Sequence, residues 1–236
     1  MDVYLYQIIH TLGHKPYYLA EHVALLDTLS RKLFHSPYQV DLRKLSADIS
    51  MLLQSEHYPT DLSAFVRLTL TPDGASHLTA AGSSLYRGYA LRSITPAAIT
   101  LSYDIPLLDA STSAREAAAE LARNQALCAG AKCAVRCTRE GVVLTADDAP
   151  LFAIRGLTVF TSPAENSVER NLALACIRAA GLEVSIQPVM REQIPLFDEF
   201  FYFDHQGITA LSRCDGQPYM AVVVERIAKM LRELTR

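Results

Sequence analysis

The clearest alternation of hydrophobic and polar positions lies in the second half of the chain. Four short runs of β-branched and apolar residues follow one another there, at 134–138, 142–145, 151–154 and 157–161. Short gaps rich in charged residues and glycine separate them, which is typical of turns between antiparallel strands. The pattern therefore predicts a four-stranded antiparallel meander.

A helix is predicted directly after the meander. Ser162 and Pro163 end the last strand, and Asn166 with Glu169 has the spacing of a capping box. Apolar side chains then recur at helical spacing until Gly181, where the helix is expected to end. The apolar stripe consists of Val168, Leu172, Ala175, Cys176 and Ala179.

In the first hundred residues the pattern changes between a period of two and a helical period. Residues 3–10 alternate as a strand does, and residues 21–34 keep apolar side chains on one helical face. Asp41 stands where a helix cap is expected, before a second apolar stripe that ends near Leu53. Further strands are predicted at 65–71, 85–94 and 99–103.

A domain boundary is predicted at about residues 95–108, where Pro96 and Pro106 interrupt the pattern. Before it lies a small α/β domain, residues 1–100. After it lies a larger α+β domain, residues 108–236, which contains the meander. The fold class expected is therefore α+β in two domains.

The larger domain is predicted to open with an alanine-rich helix. Ser113 and Glu116 have the spacing of a second capping box, and the helix runs to about Cys128. The remaining elements are two strands at 182–189 and 199–203 and a last helix at 221–234.

Composition mainly excludes classes of partner. A chain of 236 residues that is 50% hydrophobic and 20% charged is expected to be soluble and globular, and a net charge of −3 gives no reason to expect nucleic acid or a membrane as partner. No run of eighteen apolar residues occurs, and the first residues are not expected to act as a signal peptide. Five cysteines, an odd number, fit a reducing cytoplasm. The spacing of Cys128, Cys133 and Cys137 is not that of a metal site, so no metal is expected.

Several local sequences, in one order, resemble the class IV aminotransferases. Residues 13–19 and 21–26 resemble that family's "Gly-Lys-Pro-Phe-x-Leu" and "Glu-His-Leu-x-Arg-Leu", and residues 65–71 resemble its "Arg-Leu-x-Val-Thr" strand. Residues 167–170 resemble "Gly-Ile-Thr-Arg", and residues 198–201 resemble "Asp-Glu-Val-Phe". These fold-type IV pyridoxal phosphate enzymes include branched-chain aminotransferase, D-amino acid transaminase and aminodeoxychorismate lyase.

The resemblance implies the two-domain fold-type IV architecture and a homodimer. The family's opening strands have no counterpart here, so an N-terminally truncated version of the fold is expected. The residues that carry the family's chemistry are also missing. The Schiff-base lysine, which exchanges with the substrate amine, would fall at Ser111, Thr112 or Ser113, and the nearest lysines are Lys44 and Lys132.

The family's other cofactor contacts are replaced as well. Leu25 corresponds to the phosphate-binding arginine, and Thr145 corresponds to the glutamate that pairs with the pyridine nitrogen. The remaining cofactor-binding positions correspond to Ser167, Val168 and His205. The sequence therefore predicts no catalytic residue and no bound cofactor.

A residual pocket in the cleft between the domains is expected at the polar residues left near these positions. Its members are Thr112, Thr145, Arg170, Asp204 and His205. Simpler interpretations stand beside this one: Ser113 and residues 166–170 as helix caps, and Asp147 and Asp148 as a solvated loop.

The function predicted is that of a pseudoenzyme. It keeps the class IV aminotransferase fold, has lost pyridoxal phosphate binding and transaminase or lyase activity, and serves as a small-molecule-binding or interaction scaffold in the cytoplasm. The alternative is an active pyridoxal phosphate aminotransferase or aminodeoxychorismate lyase-like enzyme with a rearranged site, in which Lys132 supplies the amine. A third hypothesis is cofactor-free catalysis by Asp204 or His205.

Overall fold

A computed structural model describes residues 3–105, 107, 110–163 and 166–235. The chain divides into two compact units. The first comprises residues 1–89, 110–114 and 166–168, and the second comprises residues 90–109, 115–165 and 169–236. Compactness does not test which parts fold independently, so the domain limits drawn from the sequence stay a prediction.

The first unit is built on a four-stranded antiparallel sheet with two helices. Its strands, in the spatial order β2-β1-β3-β4, are β1 (Leu5–Leu12), β2 (Lys15–Pro16), β3 (Ser63–Leu70) and β4 (Ser76–Ser83). The helices are α1 (Leu19–Leu33) and α2 (Leu42–Ser55). The predicted cap at Asp41 is confirmed, since its carboxylate accepts hydrogen bonds from the amides of Arg43 (2.8 Å) and Lys44 (3.3 Å).

The second unit carries a twelve-stranded sheet. Its strands are β5 (Ala90–Leu91), β6 (Ala97–Ser102), β7 (Cys133–Cys137), β8 (Val142–Ala146), β9 (Ala149–Arg155), β10 (Thr158–Thr161), β11 (Glu183–Ile186), β12 (Val189–Met190), β13 (Glu199–Asp204), β14 (Gly207–Ala210), β15 (Arg213–Cys214) and β16 (Gln217–Pro218). The helices of this part of the chain are α3 (Ser113–Cys128), α4 (Val168–Ala179) and α5 (Val222–Leu234), with a 3₁₀ turn at Arg191–Leu196.

The predicted meander is confirmed. Strands β7, β8, β9 and β10 pair antiparallel in sequence order. Strands β7 and β9 are buried at nearly every position, and because successive side chains of a strand point to opposite faces, both of their faces are covered. A continuous apolar core runs along the sheet. Val135, Leu151 and Phe200 are among its fully covered members.

The helices predicted after Ser113 and Asn166 are found, whereas one strand prediction is wrong. Helix α3 begins at Ser113 and α4 at Val168, and the capping boxes at these two starts stay predictions. The strand predicted at 85–94 is reduced to β5, and the preceding strand, β4, was not predicted. The half-buried face of β4 carries Leu78, Ala80 and Gly82, of which only Leu78 is a large apolar residue, so the sequence shows no clear alternation of apolar residues.

Helix α5 is held by a buried carboxylate from another element. Glu199 is 1% exposed, and its two carboxylate oxygens accept hydrogen bonds from the amides of Val222, Val223 and Val224 at 2.8 to 2.9 Å. These amides have no partner within the helix, and the partial positive charge at a helix start attracts an anion. Ala221, which precedes α5, offers no side-chain cap.

None of the described helices is both long and apolar enough to cross a membrane.

Replacing Glu199 by Ala is expected to lower the free energy of unfolding by about 3 kcal/mol, because three amides at the start of α5, one of them buried, lose their acceptor. Chemical denaturation followed by circular dichroism measures this change. The matched control is Glu233→Ala, at an exposed position in the last turn of the same helix, where a change below about 0.5 kcal/mol is expected. Equal losses for the two variants would contradict the capping role.

Candidate functional site

Residues 111–113, where the resemblance predicts the position of the family's lysine, are hydrogen-bonded to residues 4–6. The Ser111 carbonyl accepts from the Tyr6 amide at 3.0 Å, and Thr112 forms a bridge with Leu5. The Ser113 amide donates to the Tyr4 carbonyl at 3.1 Å. This stretch carries three hydroxyl side chains, two before α3 and one, Ser113, at its first position.

An ion pair lies at the start of α3, just after that segment. Arg115 is 2% exposed, and its Nε lies 2.5 Å from Oδ1 of Asp148. Its Nη2 also donates to the Asp148 carbonyl at 3.0 Å. Sequence reasoning missed this pair, although an arginine in the first turn of an alanine-rich helix was a usable signal.

Asp147 and Asp148 form the two-residue turn between β8 and β9. Both have positive φ, 44° and 68°, which non-glycine residues seldom adopt. Asp147 Oδ1 accepts from the Ala134 amide at 3.0 Å and lies 4.0 Å from Nε of Arg123. The prediction of a solvated loop is therefore wrong, because both carboxylates are half-buried and joined to α3 or β7.

Burial raises the pKa of the Asp147 carboxyl, and the hydrogen bond from Ala134 and the charge of Arg123 oppose that rise. Burial, together with the nearby Asp147 carboxylate, also raises the pKa of the Cys133 thiol well above its usual range. A thiol whose pKa is raised stays protonated and is a poor nucleophile.

Thr145 is buried on β8 directly opposite Arg136 of β7. Arg136 is 3% exposed, and its guanidinium carbon lies 5.8 Å from the ring centre of Tyr103. Side chains of opposed residues share one face of a sheet. The position that resembles the family's pyridine-nitrogen glutamate is thus a hydroxyl beside a buried arginine.

Arg170 joins the start of α4 to the end of β10. Its Nη1 donates to Oγ1 of Thr161 at 2.9 Å, and its Nη2 donates to the Ser162 carbonyl at 3.2 Å. Ser167 and Val168 form the entry to this helix, and Val168 is buried.

Asp204 and His205 lie where β13 turns into β14. Asp204 accepts from the Gln206 amide at 2.7 Å, and its other oxygen lies 3.7 Å from Nη1 of Arg92. Arg92 also donates to Oγ1 of Thr209 at 3.3 Å. His205 is half-buried in the turn.

The predicted pocket residues thus lie on different elements of the described chain. Thr112 belongs to the first compact unit, whereas Thr145, Arg170, Asp204 and His205 belong to the second. Leu25 is half-buried on α1 in the first unit. That these residues line a common pocket stays a prediction.

All five lysines of the chain carry exposed side chains: Lys15, Lys32, Lys44, Lys132 and Lys229. Lys132 lies between α3 and β7, and its amide donates to the Ala97 carbonyl at 2.9 Å. No group of three or more His, Cys, Asp or Glu side chains with metal-binding geometry occurs among the described residues.

A cavity of about 10 Å³ lies in the core of the second unit, between apolar side chains of β8, β9, β10 and β13, with Ser162 at its wall. This volume is about that of one water molecule. The cavity is therefore too small for a cofactor or substrate.

Comparison with known proteins identifies the fold. No protein-family model and no curated protein sequence matches the chain, but solved structures do. An aminotransferase from Brucella abortus bound to the co-factor PLP matches with a TM-score of 0.83 and 16% identity, over 98% of this chain and 89% of that chain.

Two further matches have the same architecture. A protein assigned as a 4-amino-4-deoxychorismate lyase from Legionella pneumophila matches with a TM-score of 0.81 and 17% identity, over 98% of this chain and 90% of that chain. The branched-chain amino acid aminotransferase from Escherichia coli matches with a TM-score of 0.80 and 17% identity, over 99% of this chain and 85% of that chain.

The chain therefore has the fold of the fold-type IV pyridoxal phosphate enzymes, and the fold prediction is confirmed. The prediction of no cofactor is wrong, because structures with this fold carry pyridoxal phosphate or, in one branched-chain amino acid aminotransferase, pyridoxamine 5′-phosphate. The fold points to pyridoxal phosphate. The homodimer and the cytoplasmic location stay predictions.

Replacing Arg115 by Met is expected to lower the free energy of unfolding by about 3 kcal/mol, since it leaves the Asp148 carboxylate without its counter-charge. The control is Arg31→Met on α1, whose pair with Asp27 is exposed and contributes less than about 1 kcal/mol. Urea denaturation measures both. If the Arg115 variant loses no more stability than the control, the ion pair does not anchor α3.

The raised pKa of Asp147 is expected to make this residue's contribution to the free energy of unfolding smaller as pH rises. Because its pKa is raised in the folded protein, its contribution is fully present below the unfolded pKa and is lost as pH rises through the folded pKa. Asp147→Asn should therefore gain stability relative to the parent as pH increases from about 4 upward.

Asp73 provides the contrast for this measurement. Hydrogen bonds from Thr71 and Ala75 lower the pKa of its exposed carboxyl, so its contribution is lost as pH falls through the folded pKa. Denaturation between pH 3 and pH 7 should give differences of opposite slope for Asp73→Asn and Asp147→Asn. Slopes of the same sign would contradict the assignment.

Proposed function

We propose that this protein binds pyridoxal phosphate, or the related pyridoxamine phosphate, as a reversibly exchanging ligand that is not linked to a lysine. Structures that share its fold carry these ligands. The observation that carries the proposal is the segment 111–113, where a lysine is expected and where three hydroxyl side chains occur instead. Every lysine elsewhere has an exposed side chain.

The residues of this chain fit the cofactor in part. A phosphate fits the start of α4, a twelve-residue helix that begins at Val168 directly after Ser167 and whose positive end favours an anion. Glu169 in the first turn weakens that attraction. The hydroxyl of Thr145 is able to donate to or accept from a ring nitrogen, but it cannot hold that nitrogen protonated as a carboxylate does.

The aldehyde of pyridoxal phosphate has no lysine to react with at residues 111–113. When bound, pyridoxal phosphate supplies an electron sink for bond cleavage next to an amine. Enzymes that use it turn over through a lysine amine, because the lysine both holds the aldehyde and exchanges with the substrate. With hydroxyls at 111–113, we infer a binding protein without transaminase or lyase turnover.

The alternative is an active enzyme in which Lys132 supplies the amine. Lys132 is exposed at the entry to β7, and the backbone there is fixed by its hydrogen bond to Ala97. A reactive lysine amine ordinarily requires burial or a neighbouring cation that lowers its pKa. The exposed position favours the binding protein.

Calorimetric titration with pyridoxamine phosphate and with pyridoxal phosphate is expected to give dissociation constants within about threefold of each other. Pyridoxamine phosphate carries an amine in place of the aldehyde, so it cannot form a Schiff base with a lysine. Only the affinity for pyridoxal phosphate would increase if a lysine were available. Gel filtration should strip both ligands from the protein. Borohydride treatment of the pyridoxal phosphate complex followed by peptide mass spectrometry should find no modified lysine.

Lys132→Ala is the control, and it should bind both ligands as the parent does. A borohydride-stable adduct on Lys132, or amino-donor turnover that disappears in Lys132→Ala, would establish the active enzyme instead. Absence of binding for both ligands would refute the proposal outright.

A further inference from the structure

A buried arginine lies beside Thr145 in the sheet of the second unit. Arg136 on β7 stands directly opposite Thr145 on β8, and both side chains are buried. Opposed residues of antiparallel strands point to the same face of the sheet, with their Cβ atoms about 5 Å apart. Because a guanidinium does not lose its proton in proteins, this pairing puts a permanent positive charge next to the Thr145 hydroxyl.

Tyr103 gives a second indication of where this charge acts. The guanidinium carbon of Arg136 lies 5.8 Å from the centre of the half-buried Tyr103 ring. Burial raises the pKa of the Tyr103 hydroxyl, and Arg136 opposes that rise more strongly than Arg115 does. The guanidinium of Arg136 therefore acts on the polar groups of this face, where it is covered from solvent.

The acidic groups near this face are engaged by other cations. Asp148 pairs with Arg115, and Asp147 lies 4.0 Å from Arg123. Each of these pairs is close to neutral. Neither pair therefore places a net negative charge beside Thr145, as a glutamate at that position would.

Thr145 and Arg136 favour the same protonation state of a pyridine nitrogen. A threonine hydroxyl is uncharged and has a proton to donate, so it can hydrogen-bond to an unprotonated nitrogen. A protonated nitrogen is a cation, and a fixed cation nearby disfavours it. Neither side chain supplies the negative charge that stabilises a pyridinium.

The inference that follows rests on the proposed function, in which the Thr145 hydroxyl meets the ring nitrogen of the ligand. We propose that Arg136 makes the site selective for pyridoxamine phosphate and pyridoxal phosphate with an unprotonated ring nitrogen, so that a ligand with a cationic ring is rejected. A neutral pyridine ring withdraws electrons less strongly than a pyridinium does. The site would thus hold its ligand without activating it, which agrees with binding rather than turnover.

The first test compares pyridoxamine phosphate with its N-methylated derivative, whose ring nitrogen carries a permanent positive charge. Calorimetric titration of the full chain should give an affinity for the methylated ligand that is lower by about tenfold or more. Arg136→Met removes the charge and should reduce that difference to within about threefold. Circular dichroism checks that the variant is folded.

The second test uses the unmodified ligand, because the added methyl group also takes up space. Nitrogen NMR spectroscopy of pyridoxamine phosphate labelled at the ring nitrogen distinguishes the protonated from the unprotonated form. At a pH where the free ligand is protonated on this atom, the parent complex should give the signal of an unprotonated pyridine. In Arg136→Met the signal should move toward that of a pyridinium, since a cation no longer opposes protonation.

Arg123→Met is the matched control, because it removes a cation of the same unit that lies against Asp147 instead of Thr145. It should discriminate between the two ligands as the parent does. Equal affinities of the parent for both ligands, or a protonated ring nitrogen in the parent complex, would overturn this inference and leave the proposed function standing. The parent alone gives this result even if Arg136→Met does not fold. Absence of binding for both ligands would refute the proposed function, and this inference with it.

Discussion

A charge removed from water inside a protein must be satisfied by another protein group, or it costs several kcal/mol. In the second unit, three buried charged side chains have such partners. Arg115 is satisfied by Asp148, Arg170 by Thr161 and the Ser162 carbonyl, and Glu199 by three amides of α5. Each of these contacts joins a helix to the sheet, so the buried polar groups fix where α3, α4 and α5 lie.

This arrangement separates the fold from the chemistry of the proteins that share it. The chain has the sheet, the helices and the buried polar contacts between them, whereas residues 111–113 carry no amine. Fold similarity at 16 to 17% identity identifies an architecture, and the architecture alone does not specify a reaction. The reaction depends on a few side chains, which fold similarity does not identify.

The parts of the fold that were predictable from sequence are those in which local pattern and burial agree. The meander was predicted because its strands are short apolar runs separated by charged residues and glycine, and Asp41 because an acidic residue precedes an apolar stripe. Strand β4 was missed because only one residue of its half-buried face, Leu78, is large and apolar, so its sequence shows no clear alternation. The partners of Arg115 and Asp148 were missed because they are 33 residues apart in sequence, and no local pattern records such a contact.

The turn at Asp147 and Asp148 has a consequence for how this protein folds. Two successive non-glycine residues in the left-handed region disfavour the β8–β9 hairpin in isolation. The compensating contacts come from Arg115 and Arg123 of α3. Hairpin and helix are therefore mutually dependent, and they are expected to open and close as one cooperative unit.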